Sequence, residues 1–126
     1  MNVGIDIVEI ERIKNLYEKF GERFLKRVFT DNEINYCFSR KNVFHSLAGR
    51  FAIKEAVLKA LGIGMTSGFS FKDIEVINVN KGKPVVILNG KLKELLNNRE
   101  IEISISHSEH YAVGICIIWY NLNNKK

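Results

Sequence analysis

Three groups of residues in this chain combine types and spacings that could do chemistry. The first lies in Ala48 to Gly62, which reads AGRFAIKEAVLKALG. Wound as a helix at 100° per residue with Phe51 at zero, Ile53, Ala56, Val57 and Ala60 fall at roughly 140° to 240° and make a packing face. Glu55 and Lys59 lie on one flank at roughly 40° and 80°, and Arg50 and Lys54 on the other at roughly 260° and 300°. One account is an amphipathic helix with a Glu55–Lys59 pair at i,i+4, worth a few tenths of a kcal/mol. Against it stands the shortage of ordinary solvated residues from Phe51 to Leu61. Charges on so apolar a helix need a partner, an ion or a ligand if they are covered.

Asp6 supplies the second group. It sits in Val3-Gly4-Ile5-Asp6-Ile7-Val8, where strand propensity disfavours an aspartate. Alone it reads first as a solvent-facing residue on a half-buried strand. With Glu55 it makes a pair of hard oxygen ligands. Magnesium takes one or two carboxylates, keeps several waters and fills its shell with phosphate oxygens. Two acids among cations fit a diphosphate-bridging Mg²⁺ better than an all-protein metal cage.

The third group is Ser106-His107-Ser108. Ile101, Ile103 and Ile105 alternate with Glu102, Ser104 and Ser106, so His107 continues the apolar parity and should point inward. It reads as a hydrogen-bonded core histidine or as one of several donors to a phosphate at a strand end. No GxSxG elbow is present, so a serine hydrolase is not indicated. The GxGM stretch from Gly62 to Met65 follows a helix, unlike a dinucleotide fingerprint. His45 and His110 lack metal-ligand partners at useful spacing. Arg12, Lys14, Lys19, Arg23, Lys26 and Arg27 make the N-terminal helices basic, with Phe24 among them. Such a face is solvated, or it docks an acidic helix.

The elements that must position these residues follow from pattern. Val3 to Ile10 reads as a strand, with Val3, Ile5 and Ile7 on one parity. A helix begins at Glu11 and stops at Gly21, a second covers Glu22 to Val28, and the capping box at Thr30 to Glu33 starts a third. The longest helix runs from about Asn42 to Leu61, closed by Gly62, and Gly64, Ser67 and Gly68 mark a loop. Strands are expected at Phe71 to Val79, Pro84 to Leu88, Ile101 to Ser106 and Tyr111 to Tyr120, with a short helix near Lys91 to Leu96. Blocks of helices and strands without strict alternation predict α+β: an antiparallel sheet packed against one long helix and several short helices. Tyr111 to Tyr120 is apolar on both parities, so both its faces should be covered, one of them by a partner subunit.

The 126 residues are expected to form one domain, residues 1–126. Nineteen Lys and Arg against fourteen Asp and Glu give a net charge of +5, which favours polyanionic partners. Cys37 and Cys116 sit in apolar runs without a CxxC or disulfide pattern, so buried thiols in a reducing compartment are expected. No signal peptide is read at the N-terminus and no apolar run is long enough for a bilayer. A cytoplasmic protein without membrane insertion is expected.

Taken together, Val3 to Ile13 (VGIDIVEIERI), Ala48 to Ala56 (AGRFAIKEA) with Lys59, and Ile103 to Ser108 (ISISHS) resemble the short bacterial holo-[acyl-carrier-protein] synthases, members of the 4′-phosphopantetheinyl transferases. The three motifs occur in the family's order, and the likeness runs end to end. The resemblance implies transfer of 4′-phosphopantetheine from coenzyme A to a serine of apo acyl carrier protein, releasing adenosine 3′,5′-bisphosphate and supporting fatty acid biosynthesis. It further implies Mg²⁺ and a homotrimer with active sites between subunits. By position, Asp6 and Glu55 look like metal ligands, and Lys59 like a cation on the diphosphate. Arg40, Lys41, Arg50, Lys54, His107 and Ser108 look like coenzyme contacts, with Arg40 and Lys41 suited to the 3′-phosphate. Arg12, Arg23, Phe24 and Arg27 match the face that receives the carrier protein.

The chain departs from the family at Asn35, where some members carry an acid, so the base is open between Glu55 and a water of the metal shell. A small basic nucleic-acid-binding module is the main alternative. It lacks an RNA-recognition, KH or zinc-finger signature and gives no reason for Asp6 and Glu55. A structural oligomerisation domain would explain the apolar last strand but not the paired charges.

Overall fold

One helix organises the molecule. The computed structural model describes residues 1–64, 68–80 and 82–122; Met65 and Ser67, read above in the GxGM stretch and as a loop marker, lie outside the described residues. The order is β1 (Asn2–Glu9), α1 (Ile10–Phe20), α2 (Glu22–Val28), α3 (Asp31–Phe38), α4 (Val43–Leu61), a 3₁₀ turn (Phe71–Asp73), β2 (Ile74–Val79), β3 (Lys83–Leu88), α5 (Gly90–Leu96), β4 (Glu100–His107) and β5 (Tyr111–Trp119). The expected α+β architecture is present, with the antiparallel strands divided between two sheets. One is three-stranded in the order β1-β5-β4, and the other is the β2-β3 hairpin.

Local chemistry sets the boundaries. Thr30 caps α3: its hydroxyl accepts from the Glu33 N–H while Glu33 accepts from the Thr30 N–H, the reciprocal pair read from sequence. Gly62 closes α4 with φ of 77°, a left-handed conformation that glycine adopts without Cβ strain. The strand expected from Phe71 begins only at Ile74, because Ser70 and Asp73 form their own capping box around the turn.

Helix α4 lies across the inner face of the three-stranded sheet. Ile53, Ala56, Val57 and Ala60 are buried there, as the wheel predicts, and Ala52 is buried beside them. The approach is closer than side chains allow. A Cβ on Gly4 would stand 1.9 Å from the Ala56 carbonyl oxygen and 2.7 Å from the Ala60 nitrogen. A Cβ on Gly114 would stand 2.8 Å from both the Ala52 carbonyl carbon and the Ile53 nitrogen. Two glycines thus let the sheet settle directly on the helix backbone.

That seating decides which parity of β1 meets the core. Gly4, Asp6 and Val8 face α4, whereas Val3, Ile5 and Ile7 face outward and are 54%, 57% and 62% exposed. In β5, Ala112, Gly114, Cys116 and Ile118 face inward, and Val113, Ile115 and Ile117 are half-buried on the outer face. Within one chain, therefore, only one face of β5 is fully covered. The N-terminal half of α4 packs with α1, α2 and α3, and its C-terminal half with β2, β3, α5 and the sheet. Cys37 and Cys116 are buried free thiols, and burial pushes them up to about 11 and about 12.

Candidate active site

The long helix presents different chemistry on its two flanks. On the first, β1 brings Asp6 over Glu55 and Lys59. Lys59 Nζ donates to Asp6 Oδ1 at 3.1 Å and to the Ile5 carbonyl at 3.0 Å. The intrahelical Glu55–Lys59 pair is therefore replaced by a bond to the strand. The register Asp6↔Gly114 explains the reach, because Gly114 has no side chain to hold β1 and β5 off the helix. Glu55 is half-buried, and burial, followed by the charge of Asp6, holds its carboxyl above the usual range; Lys59 and Arg12 oppose this in part.

These residues fit a divalent cation. Two carboxylates converge with one lysine, whose ion pair is with Asp6, and Glu55 keeps a cost of ionisation that Lys59 and Arg12 offset only in part and that a cation would remove. Among the described residues no group of three or more His, Cys, Asp or Glu comes together, so a metal here would complete its shell with water and substrate, as magnesium does.

On the opposite flank Arg50 is only 4% exposed. Its guanidinium stacks 4.4 Å from the Tyr36 ring centroid and donates to Asn78 Oδ1, while its Nε–H has no partner among the described residues. A buried guanidinium with an unmet donor is costly unless a ligand meets it. It borders a cavity of about 250 Å³ lined also by Arg40, Ser46, Gly49, Pro84 and His107. Arg40 stacks on the same tyrosine at 5.4 Å. His107 stands at the rim on the inward parity: a Cβ on Gly49 would meet its Nε2 at 2.8 Å. Burial holds its imidazole below the ordinary 6.5, so it is a neutral donor or acceptor near pH 7.

Three expected contacts fall elsewhere. Lys54 is fully buried, and its Nζ bonds Glu33 Oε1 at 2.9 Å, the Phe71 carbonyl at 3.0 Å and the Ile74 carbonyl. It faces no cavity. Lys41 lines a separate cleft of about 570 Å³ with Lys14, His45, His110 and Glu109. Ser108 closes the β4–β5 turn, where its N–H donates to the Tyr111 carbonyl at 2.8 Å and its Oγ accepts from the Tyr111 N–H at 3.2 Å.

The basic N-terminal face also has a shape. Arg23 and Arg27 line a groove of about 320 Å³ with Leu16, Phe20 and Phe24. Phe24 is 9% exposed and packs edge-on against Phe29, so it forms the floor. The aromatic that stands free among the cations is Phe20, 40% exposed, with Lys19 and Arg23 over its ring. Arg12 lies apart from this groove, over Phe51 at 5.6 Å and towards Glu55.

Comparison with known proteins decides the family. The sequence model of the 4′-phosphopantetheinyl transferase superfamily matches residues 2–116. The chain belongs to that superfamily. Within it, the chain is 51% identical over 116 residues to the holo-[acyl-carrier-protein] synthase of Thermodesulfovibrio yellowstonii, covering 92% of this chain and 96% of the relative. It is 49% identical over 117 residues to that of Protochlamydia amoebophila, covering 93% and 96%. Among solved structures, the Helicobacter pylori holo-[acyl-carrier-protein] synthase in complex with coenzyme A superposes with a TM-score of 0.84 at 34% identity, covering 93% of this chain and 99% of that one. The Bacillus anthracis enzyme, in complex with CoA (3′,5′-ADP), gives 0.80 at 37% identity, covering 95% and 96%. The chain is a holo-[acyl-carrier-protein] synthase-type phosphopantetheinyl transferase.

Sequence reasoning missed Tyr36, Asn78 and Phe20. Phe20 had a local signal, since it lies between Lys19 and Arg23 just before the Gly21 stop. Tyr36 and Asn78 had none, because each meets Arg50 only through tertiary packing.

Proposed function

We propose that the chain transfers 4′-phosphopantetheine from coenzyme A to a serine of apo acyl carrier protein, with Mg²⁺ held by Asp6 and Glu55, in the cytoplasm and in support of fatty acid biosynthesis. The observation that carries this reading is the pairing of a carboxylate flank with a buried, incompletely bonded arginine flank on one helix. Asp6 and Glu55 would hold the cation, which would supply neutralisation of charge on the diphosphate. Lys59 adds a point charge beside them and balances charge gathering on the departing bisphosphate. Arg50, Arg40 and His107 receive the phosphates of the nucleotide half, with Tyr36 holding the guanidinium plane of Arg50 in place.

In the reaction the serine oxygen bonds the β-phosphorus, and the bond from that phosphorus to the bridging oxygen breaks. The hydroxyl proton leaves for a base, and adenosine 3′,5′-bisphosphate departs with the bridging oxygen. Phosphoryl transfer needs mainly alignment and charge neutralisation. Asn35 stands exposed on α3 and brings no acid to the site.

The two flanks point away from each other, so one coenzyme reaches both only when two copies meet. The outward Val3, Ile5 and Ile7, with Val113, Ile115 and Ile117, form an apolar sheet face that supports such a meeting. A homotrimer would build its sites between subunits in this way. The basic groove at Phe20, Arg23 and Arg27 suits an acidic carrier protein. Among the described residues no helix is long and apolar enough to cross a membrane. The test is incubation with coenzyme A, Mg²⁺ and apo acyl carrier protein, followed by mass spectrometry of the carrier. A gain of one phosphopantetheine is expected, lost in Asp6→Ala and Glu55→Ala; no gain with any carrier or divalent metal refutes the reading.

A further inference from the structure

The buried pair Glu33–Lys54 lies outside the lining of the arginine cavity, yet it joins three of the elements that line it, α3, α4 and β2. Glu33 lies on α3 one turn before Tyr36. Lys54 lies on α4 one turn after Arg50. Glu33 Oε2 accepts from the Val76 N–H at 2.8 Å, two residues before Asn78 on β2. Its Oε1 accepts from Lys54 Nζ and from the Thr30 N–H, both at 2.9 Å. Lys54 Nζ also donates to the Phe71 and Ile74 carbonyls, holding the start of β2. Each residue that fixes Arg50 therefore stands within one turn or two strand positions of an atom in this network.

The arrangement has a high internal cost. Both side chains are fully buried, and a buried ion pair is weak evidence for stability, since its desolvation rivals its attraction. Registry is the better-attested use of such pairs. Here the register set is that of α3, α4 and β2, and their junction forms one wall of the cavity. Arg50 stacked on Tyr36 and bonded to Asn78 occupies one position only while those three elements keep their spacing. A loosened junction would let the guanidinium turn from its place beside the cavity.

From this geometry we infer that Glu33 and Lys54 are positioning residues for nucleotide recognition, acting through Arg50 rather than by touching coenzyme. The inference rests on the reading of the Arg50 cavity as the coenzyme nucleotide site. The test is a double-mutant cycle on the full chain, reading the Kd of adenosine 3′,5′-bisphosphate by calorimetry and KM against kcat for coenzyme A. Circular dichroism below the melting transition checks that each variant is folded. Lys54→Met should weaken nucleotide binding and raise KM about tenfold, with kcat and the carrier-protein KM changed less than about threefold. In an Arg50→Ala background the same substitution should cost less than about twofold, because its route of action is already gone. Equal costs in both backgrounds, or a folded Lys54→Met with unchanged nucleotide affinity, overturn the inference. An Arg50→Ala chain that binds nucleotide as the parent does overturns the cavity reading beneath it. Should Lys54→Met not fold, Glu33→Gln, which keeps the shape and an acceptor oxygen, goes through the same cycle under the same criteria.

Discussion

Substituting Gly4 by alanine adds one methyl group where the structure has room for none. The new Cβ would lie 1.9 Å from the Ala56 carbonyl oxygen and 2.7 Å from the Ala60 nitrogen. Both atoms belong to the backbone of α4, so neither can rotate aside. Relief requires roughly 1.5 Å of separation between β1 and the helix to restore ordinary contact. Overpacking of this kind costs about 1–3 kcal/mol, and a rigid backbone neighbour places the cost near the upper end. For a chain of this length, about 3 kcal/mol lowers the melting temperature by roughly 10–15 °C. The same movement carries Asp6, two residues along on the same face, away from Glu55. A displacement of about 1 Å in a reacting constellation can cost roughly a hundredfold in rate. Thermal unfolding by circular dichroism, with turnover measured across a Mg²⁺ series, reads both effects. Gly4→Ala should melt far lower and need more Mg²⁺. A variant melting within 3 °C of the parent (well under the shift from about 1 kcal/mol) with the parent's Mg²⁺ requirement would refute the close-approach argument.

Glu55→Gln should stabilise the metal-free chain at neutral pH while abolishing transfer. Burial and Asp6 raise the Glu55 carboxyl above its ordinary 4.5, so the folded chain keeps that proton to higher pH than the unfolded chain. The associated stability is present below 4.5 and lost as pH rises through the folded value. Urea midpoints of parent and variant should therefore diverge across that window, and Mg²⁺ should raise the melting temperature of the parent alone. His107 has the opposite sign: its folded value lies below 6.5, so the unfolded chain takes the proton first and stability falls as pH drops from 6.5. His107→Gln should flatten that part of the stability curve measured by urea titration. Arg23→Glu at the basic groove should raise the KM for carrier protein about tenfold and reduce its salt dependence, with little change in kcat.

The helix flanks were legible because α4 carries few polar residues, and each therefore stands out on the wheel. What the wheel could not separate is a buried partner from a ligand. Arg50 and Lys54 lie about 40° apart on one flank, yet one borders a cavity and the other is consumed by Glu33, a residue on a different helix. The capping role of Glu33 was readable at three residues' spacing, but its second role, accepting from Lys54 and β2, was not. In β1 the alternation was plain, but periodicity alone does not say which parity meets the core. Gly4 held that information: a residue without a side chain marks the face where α4 comes closest. Asp6 was recognised by its unsuitability for a strand, whereas its bond to Lys59 depends on how β1 crosses the helix. Lys41 and Ser108 were placed by neighbourhood in sequence, and the chain turns between them and the arginine cavity.

The proposed active site consists of two half-sites, Asp6 with Glu55 and Lys59 on one flank of α4 and Arg50 with His107 on the other, supplied under that proposal by different copies. Asp6→Ala and Arg50→Ala chains can be unfolded together, refolded as a mixture and assayed for phosphopantetheine gain on the carrier protein, at a coenzyme A concentration too low for either to turn over alone. In a cyclic assembly each interface pairs the front of one copy with the back of the next, so random mixing restores about a quarter of the sites. Recovery of roughly that fraction of parent activity is expected, whereas a mixture as inactive as its components would contradict a site shared between copies.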